Sequence, residues 1–329
     1  ICRAEAPEDA RAAERPRYKI SELFEPNDSL RNLELPIIEW PGKYQPSSRE
    51  GKFLTMLGLR SHPSALELIQ HMATAGVEKN QPLYGRFMSY FLSEYHVNGY
   101  SAFDSSTVDV PFLPLEGSSG LSTPKKCFTD DGATLFGFQM LRRDLHGHSS
   151  KLGVEKHPPL RDCADVLIRQ PPTTKRDARA VFKYLAARVT ELSAQDIERL
   201  GNSQIVPIAE ETAGKGRVIR CVAPRHCYLG DGDDYRDIFD FVDFGQEANF
   251  FLTAVGSKTE PTKTEIARML VKEPARISST FQSPEKYLKL LRALSEHLSV
   301  FKKDKVLFNE MRKAAFLLGS KDISSDPRK

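Results

Sequence analysis

Residues 53–72 read FLTMLGLRSHPSALELIQHM, and this stretch returns twice in altered form. The second version is KLGVEKHPPLRDCADVL at 151–167, and the third is FLTAVGSKTEPTKTEIARML at 251–270. In each version a glycine follows an aliphatic residue, and a proline stands five residues after that glycine. The glycines (Gly58, Gly153 and Gly256) are 95 and 103 residues apart, a domain-sized period that is longer than the period of a solenoid. The pattern therefore predicts tandem divergent units.

Each version carries the signals of a helix start. Ser64-x-x-Glu67 and Thr262-x-x-Glu265 are capping boxes, in which the hydroxyl accepts from an orphan amide and the carboxylate reaches back to the cap. The second version has Pro159 in place of the hydroxyl residue. The shared glycine is expected to supply a positive φ or a close backbone approach. A phosphate-binding loop would need several glycines directly at the helix start, so a structural role is favoured.

A second amphipathic helix is predicted after each of these starts. Its N-terminal signals are Pro82, Thr174-x-x-Asp177 and Ser283-Pro284-Glu285. Each of these helices carries a stripe of apolar residues at helical spacing, which predicts a seam facing the core rather than a cofactor site.

Strand-like segments then follow in each unit. They are PFLPLEG at 111–117, QIVPIAE at 204–210 and AAFLLGS at 314–320. GKGRVIRCV at 214–222 is predicted to be the second arm of a hairpin. The segments 124–128 and 224–228 share a proline, a basic residue and a cysteine beside an aromatic residue, and linking segments follow at 135–138 and 238–242.

These patterns predict a mixed α+β fold of tandem divergent repeats, each a capped helix pair packed on a small antiparallel sheet. The predicted divisions are a polar tail at 1–17, unit 1 with its linker at 18–145, unit 2 at 146–245 and a truncated unit 3 at 246–329. Because the third unit stops after its first strand and the chain starts with Ile1, a segment of a longer protein is expected.

Composition restricts the class of protein. The chain has 47 Lys and Arg against 44 Asp and Glu, interspersed along its length, which argues against a nucleic-acid surface. No apolar run approaches 18 residues, so no membrane span is predicted. Five cysteines without a CxxC pair suit a reducing compartment, so an intracellular, cytoplasmic location is expected.

Taken together, these motifs resemble the repeat segments of sacsin-like giant proteins, and most of all a fungal branch. The pattern FLxxLGLRxxPSxxEL at 53–68, its echoes at 151–167 and 251–270, and the cysteine elements at 124–128 and 224–228 carry the resemblance, which spans residues 18 to 321. The resemblance implies a non-catalytic middle region of a large chaperone-like or scaffolding protein. It also implies protein partners or clients, and contact with a histidine-kinase/Hsp90-type ATPase module in the same parent chain.

That ATPase module is not expected within this chain. Its fold needs a DxGxG motif and a glycine-rich lid, and Asp130-x-Gly132 lacks the second glycine. We therefore predict no nucleotide hydrolysis by these residues and no cofactor.

The sequence gives little support for a metal site or for a catalytic nucleophile. His146-x-His148 with Cys163, or Cys221 with His226 and Cys227, lack the closely paired spacings of a structural zinc site. Cys127 and Cys227 are expected to be small buried hydrophobes. A Cys227 nucleophile served by His226 is disfavoured, because adjacent residues on a strand point to opposite faces.

Three polar clusters have ordinary explanations. Asp231, Asp233 and Asp234 lack the glycine and terminal glutamate of a calcium loop and are expected to form a solvated turn. Gly214-Lys215-Gly216 is predicted to be a hairpin tip, and Lys302, Lys303 and Lys305 a solvated surface run.

The predicted function is non-catalytic scaffolding and protein interaction, with no catalytic, cofactor-binding or metal residue assigned. The alternative is an enzyme or ligand-binding domain, whose site lies in a cleft between units and uses residues such as Asp231, Arg225 and His226.

Overall fold

A computed structural model of the chain describes residues 18–317, apart from 213–215, 233–234, 237 and 281–283. The chain divides into two compact units at the bond between Pro158 and Pro159. Helices predominate and the sheets are small, which confirms the mixed α+β class. The tandem organisation and the unit boundaries drawn from the sequence stay predictions. No helix in the described ranges combines the length and the apolarity that a bilayer crossing requires.

The described part of the first unit holds four short to medium helices and four two-residue strands. The helices are α1 (Asp28–Asn32), α2 (Arg49–Met56), α3 (Ala65–Val77) and α4 (Gln81–Ser93). The strands are β1 (Leu113–Pro114), β2 (Leu121–Ser122), β3 (Cys127–Phe128) and β4 (Gln139–Met140). Short 3₁₀ helices lie at Ile20–Glu22, Tyr100–Ala102, Ser105–Thr107, Pro124–Lys126, Asp131–Phe136 and Arg143–His148. β1 pairs antiparallel with β2, and β3 pairs parallel with β4.

The core of this unit lies around α3 and α4. α3 begins at the predicted capping box, where the Ser64 hydroxyl accepts from the Glu67 amide and the Glu67 carboxylate accepts from the Ser64 amide. Phe87 and Phe91 of α4 are fully buried with the apolar face of α3. The buried Tyr100 hydroxyl donates to the Pro63 carbonyl at 2.9 Å, and this bond fixes the bend in front of α3.

The second unit holds nine helices and four strands among its described residues. The helices are α5 (Leu160–Arg169), α6 (Lys175–Ala187), α7 (Ala194–Asn202), α8 (Gln246–Ala254), α9 (Lys263–Lys272), α10 (Pro274–Thr280), α11 (Pro284–Ser295), α12 (Leu298–Lys303) and α13 (Lys305–Lys313). The strands are β5 (Val206–Thr212), β6 (Gly216–Val222), β7 (Tyr228–Leu229) and β8 (Phe241–Val242). β5 and β6 form the predicted antiparallel hairpin, and β7 pairs parallel with β8. Further 3₁₀ turns lie at Val189–Glu191 and Pro224–His226.

Two of the predicted helix caps in this unit are confirmed. The Thr174 hydroxyl accepts from the Asp177 amide at 3.1 Å, and Thr262 forms its capping box with Glu265. Pro159 caps α5 without any side-chain hydrogen bond, as its missing hydroxyl predicts. The predicted cap at Ser283 lies outside the described residues.

The glycine shared by the three related stretches ends the helix or turn that precedes it. Gly58, Gly153 and Gly256 have φ angles of 106°, 71° and 114°, which confirms the predicted positive φ. The next residue's amide reaches back five residues to a carbonyl at 2.9 Å in all three stretches. This is the Schellman arrangement, in which a left-handed residue lets the last helical carbonyls find donors. The chain therefore stops one helix and begins the next within a few residues.

Two of these bends place a third strand beside a parallel pair. Phe24 bridges in parallel to both Ile37 and Arg60, and Tyr228 bridges in parallel to both Phe241 and Lys258. The sequence patterns did not predict this parallel pairing. It adds to the antiparallel hairpins β1–β2 and β5–β6.

One predicted strand is wrong over the part that is described. Residues 314–317 of the segment AAFLLGS leave α13 as irregular chain, and 318–320 lie outside the described residues. The Phe316 carbonyl accepts from the Tyr287 hydroxyl, so a side chain satisfies it instead of a neighbouring strand. The apolar run packs here against helices, since Phe316 contacts the cluster that contains Ile266 and Tyr287.

Candidate functional site

The histidines and cysteines considered as metal ligands do not form a site in the described part of the chain. No group of three or more His, Cys, Asp or Glu side chains stands close enough there to hold an ion. A ring nitrogen of His146 instead lies 2.8 Å from the Leu141 carbonyl oxygen.

The buried thiols are poorly suited to nucleophilic chemistry. Cys127 and Cys227 are buried as predicted, and Cys163 is buried as well. Burial raises the pKa of Cys127 and of Cys163 to about 12 and that of Cys227 to about 11. The Cys227 sulfur lies 3.5 Å from the Pro224 carbonyl oxygen, and its neighbour His226 is exposed. These thiols therefore stay protonated near neutral pH and act as packing groups.

A cleft of about 480 Å³ lies in the second unit, in front of the N-terminus of α6. Ile208 and Phe241 contribute apolar walls, and Asp231 and Arg236 stand exposed at the rim. Asp243 also lines the cleft, and its carboxylate accepts from the Gly245 amide and the Asn249 side chain, which lower its pKa. The cleft thus offers charges of both signs around a small apolar floor.

The residues proposed for a composite site do not gather in this cleft. Asp231 borders it, whereas Arg225 and His226 do not line it. Asp233 and Asp234 of the predicted solvated turn lie outside the described residues, as do Gly214 and Lys215 of the predicted hairpin tip. Arg225 instead donates to the Asn202 side chain at 3.1 Å and lies against the Gly256 bend. Lys302, Lys303 and Lys305 are all exposed at the junction of α12 and α13.

Arg60 and Lys258, which pair with Phe24 and Tyr228 as the third strand of each small parallel sheet, each form an ion pair with the helix that follows. Arg60 contacts Glu67 at 2.6 Å, and Lys258 contacts Glu265 at 2.7 Å. Burial disfavours the charged form of Glu67, but hydrogen bonds from Arg60 and Ser64 outweigh it and hold its pKa below the usual value. The Arg60 guanidinium also lies 4.4 Å from the centre of the Phe24 ring. These pairs stabilise the bend and show no reactive group.

The strongest candidate for a functional surface is an exposed apolar strip on α2, which we call the α2 face. It consists of Phe53, Met56 and the helix-capping Leu57, which share one side of the helix at the i, i+3 and i+4 positions. Their exposed fractions are 59%, 86% and 51%. Met56 also borders an open depression of about 830 Å³. Contiguous exposed apolar groups of this kind mark interaction surfaces more often than isolated ones do.

Two of the three equivalent residues of α8 are buried, and the third, Ala254, is half-buried. Counted back from the glycine of each bend, Phe251 corresponds to Phe53, and Val255 corresponds to Leu57. Phe251 is 0% exposed and Val255 is 1% exposed. Phe251 stacks on Phe182 of α6, with ring centres 5.6 Å apart. Phe53 and Leu57 are therefore exposed on α2, whereas Phe251 and Val255, the corresponding residues of α8, are buried.

Sequence reasoning used FLTMLGL only as a repeat marker and missed the exposed face. A signal was present in the three versions. Phe53, Met56 and Leu57 are all large and apolar, whereas the second version has His148 and Lys151 at the first two of these positions. A residue-by-residue comparison would have marked the first version as the most apolar.

Comparisons with known proteins show the family and nothing more specific. Neither the curated proteins nor the solved structures gave a match. The family described as "Protein of unknown function (DUF3684)" matches residues 1–329, so the chain belongs to the DUF3684 family.

Proposed function

We propose that this chain is a non-catalytic protein-interaction and scaffolding region of a large chaperone-like protein that works in the cytoplasm. The observation that carries the proposal is the α2 face, where Phe53, Met56 and Leu57 are exposed together. A helix that presents large apolar side chains at i, i+3 and i+4 has the pattern by which helices dock on other proteins. The resemblance of the repeat stretches to sacsin-like proteins supports the same function.

Burial of the α2 face would contribute favourable free energy to an interaction. Each large apolar side chain that passes from exposed to buried contributes roughly 1.5–3 kcal/mol. Phe53 and Leu57 are only half exposed, so the lower part of that range applies to them. The three side chains together can supply several kcal/mol at the centre of a contact, and a polar rim would supply specificity.

Site-specific photo-crosslinking tests the proposal. A photoreactive phenylalanine analogue is introduced at Met56, in cells that normally make the protein. The same analogue at Phe250 on α8 is the matched control, because Phe250 is also a large exposed apolar residue on a helix. We expect discrete heavier protein adducts from position 56 that disappear when Phe53→Ser is added. Equal or absent adducts at the two positions would contradict the proposal.

A small-molecule role for the cleft is the second candidate. Arg236 and Asp231 offer opposite charges beside an apolar floor, which matches a small zwitterion such as an amino acid. Both charges are exposed, so each contributes little to affinity. Ligand-observed NMR with a set of free amino acids tests this role. Binding that is lost in Arg236→Ala would support it, and no line broadening with any amino acid would exclude it.

A further inference from the structure

The packing of α8 on α6 shows how a helix of this type is covered. Phe182 of α6 contacts Phe251 and also Phe244, which lies just before α8, with ring centres 5.6 Å and 5.2 Å away. Lys183 pairs with Glu247 at 2.6 Å beside these rings. α6 thus packs against the face of α8 that carries Phe251.

The middle bend is covered by the same kind of neighbour. Leu152, which precedes Gly153, is 0% exposed and belongs to the core that contains Phe91 of α4. Lys151 donates to the Leu92 carbonyl at 3.3 Å and lies over the Tyr95 ring. In both cases, therefore, the second helix after the preceding Gly-to-Pro stretch contacts a residue just before the next glycine, which is Phe251 in one case and Lys151 in the other.

The α2 bend departs from this rule. Leu57 is half exposed, and no described helix occupies the place that α6 takes beside α8. The backbone of the bend is the same as in the other two, since Leu59 donates to the Leu54 carbonyl at 2.9 Å. Within the part of the chain that the structure describes, the difference therefore lies in the neighbour and not in the backbone conformation of the bend.

We infer that the α2 face binds an amphipathic helix of the α6 type, supplied by a partner unit; this inference rests on the proposed function. The occupant presents a large aromatic or aliphatic residue at the place of Phe182. The chain's own α6 is unsuitable, because α8 already covers its apolar face. A second copy of the chain is unsuitable for the same reason.

Charge sets a further requirement on the occupant. Counted from the glycine, Arg49 of α2 stands at the place of Glu247 of α8. A lysine on the occupant at the place of Lys183 would therefore face a like charge. Since like charges that face each other at a contact are unfavourable, the occupant carries an acidic residue there. The α6 sequence with Lys183→Glu satisfies both requirements.

The test uses the full chain and a synthetic peptide. The peptide has the sequence of residues 173–190 with Lys183→Glu, capped at both ends and labelled with a fluorophore, and binding is followed by anisotropy. A second peptide carries Phe182→Ser in addition. The protein variants are Phe53→Ser in the α2 face and Phe250→Ser as the matched control, because both residues are 59% exposed. Equal unfolding midpoints of the two variants confirm that both are folded.

We expect saturable binding that Phe53→Ser weakens by at least about tenfold and that Phe250→Ser changes by less than about twofold. The Phe182→Ser peptide should also bind at least about tenfold more weakly. No binding up to about 1 mM peptide, or binding that Phe53→Ser leaves unchanged, overturns the inference. Self-association of the chain that Phe53→Ser abolishes also overturns it, since the occupant is then a second copy. If position 56 still crosslinks discretely while the peptide fails, the proposed function stands and only this inference falls.

Discussion

Replacing Gly153 by alanine should destabilise the first unit much more than replacing Gly58. The two glycines occupy equivalent places, and both have positive φ, so either substitution carries the strain of a left-handed alanine. Their surroundings differ. A Cβ at Gly153 would stand 2.3 Å from the Ser106 amide nitrogen, whereas at Gly58 its nearest contact would be Ser21 at 3.8 Å.

The magnitude follows from these distances. A left-handed alanine costs about 1–2 kcal/mol, of which about 0.4–1 kcal/mol is offset because alanine has less freedom than glycine in the unfolded chain. Gly58→Ala should therefore cost roughly 0.5–1.5 kcal/mol. At Gly153 the backbone of 105–106 must also move, and overpacking of this kind adds about 1–3 kcal/mol.

Urea unfolding followed by fluorescence measures the difference. Trp40 is the single tryptophan and lies in the first unit, edge-on to Tyr44 at 5.5 Å, so its emission reports on the unit that holds both glycines. With a urea dependence of about 2 kcal/mol per M, the midpoint of Gly153→Ala should lie roughly 0.5–1.5 M below that of Gly58→Ala. Equal midpoints would refute the close backbone approach at Gly153. Gly99→Ala, whose φ of 74° is close to the 71° of Gly153 and whose surroundings are open, should likewise unfold at a higher urea midpoint than Gly153→Ala.

Three further outcomes are expected. Phe251→Ala should lower the free energy of unfolding by about 3–5 kcal/mol and Phe53→Ala by less than about 1 kcal/mol, since only the first side chain is fully buried; chemical denaturation compares them. Glu67→Gln should lose its effect on stability as the pH falls. The folded pKa of Glu67 lies below 4.5, so its contribution is complete above that value and disappears as the pH drops through the folded pKa; urea midpoints between pH 3 and 7 test this. Iodoacetamide should modify the half-buried Cys221 before the fully buried Cys127 in the native chain, as peptide mass spectrometry can follow.

Each of these outcomes has a result that would contradict it. Equal losses of stability in Phe251→Ala and Phe53→Ala would mean that α8 is not packed as the structure shows. A pH-independent effect of Glu67→Gln would mean that the carboxylate contributes through shape rather than charge. Modification of Cys127 at the rate seen in denaturant would show that its surroundings open readily.

Local features of the fold were predictable from the sequence because their causes are local. The caps at Ser64, Thr174 and Thr262 depend on residues three positions apart, and the structure confirms all three. The left-handed glycine could be expected from its place between an aliphatic residue and a proline. The hairpin β5–β6 follows from alternating residues around a glycine turn, although its tip lies outside the described residues.

Features that depend on distant partners were not predictable. The strand at Phe24 pairs with Ile37 and Arg60, and nothing in these short segments specifies a parallel orientation. The segment 314–317 has the composition of a strand, but its surroundings are helices, so it packs without pairing. The exposure of Phe53 likewise depends on whether a helix stands beside α2, which a repeat pattern by itself does not reveal.

The helix–helix connection around residues 57–64 could also be transferred to designed proteins. Its two defining hydrogen bonds, from Gly58 to Thr55 and from Leu59 to Leu54, are made entirely by the backbone. The three versions tolerate Ser64, Pro159 or Thr262 at the start of the next helix, so the connection does not require one particular cap. A designer who needs to end one helix, add one residue pair to a parallel sheet and begin a second helix could transfer residues 54–64, which include both carbonyl acceptors, as a block. The recipient would have to supply one neighbouring strand and an apolar cover for the residue before the glycine.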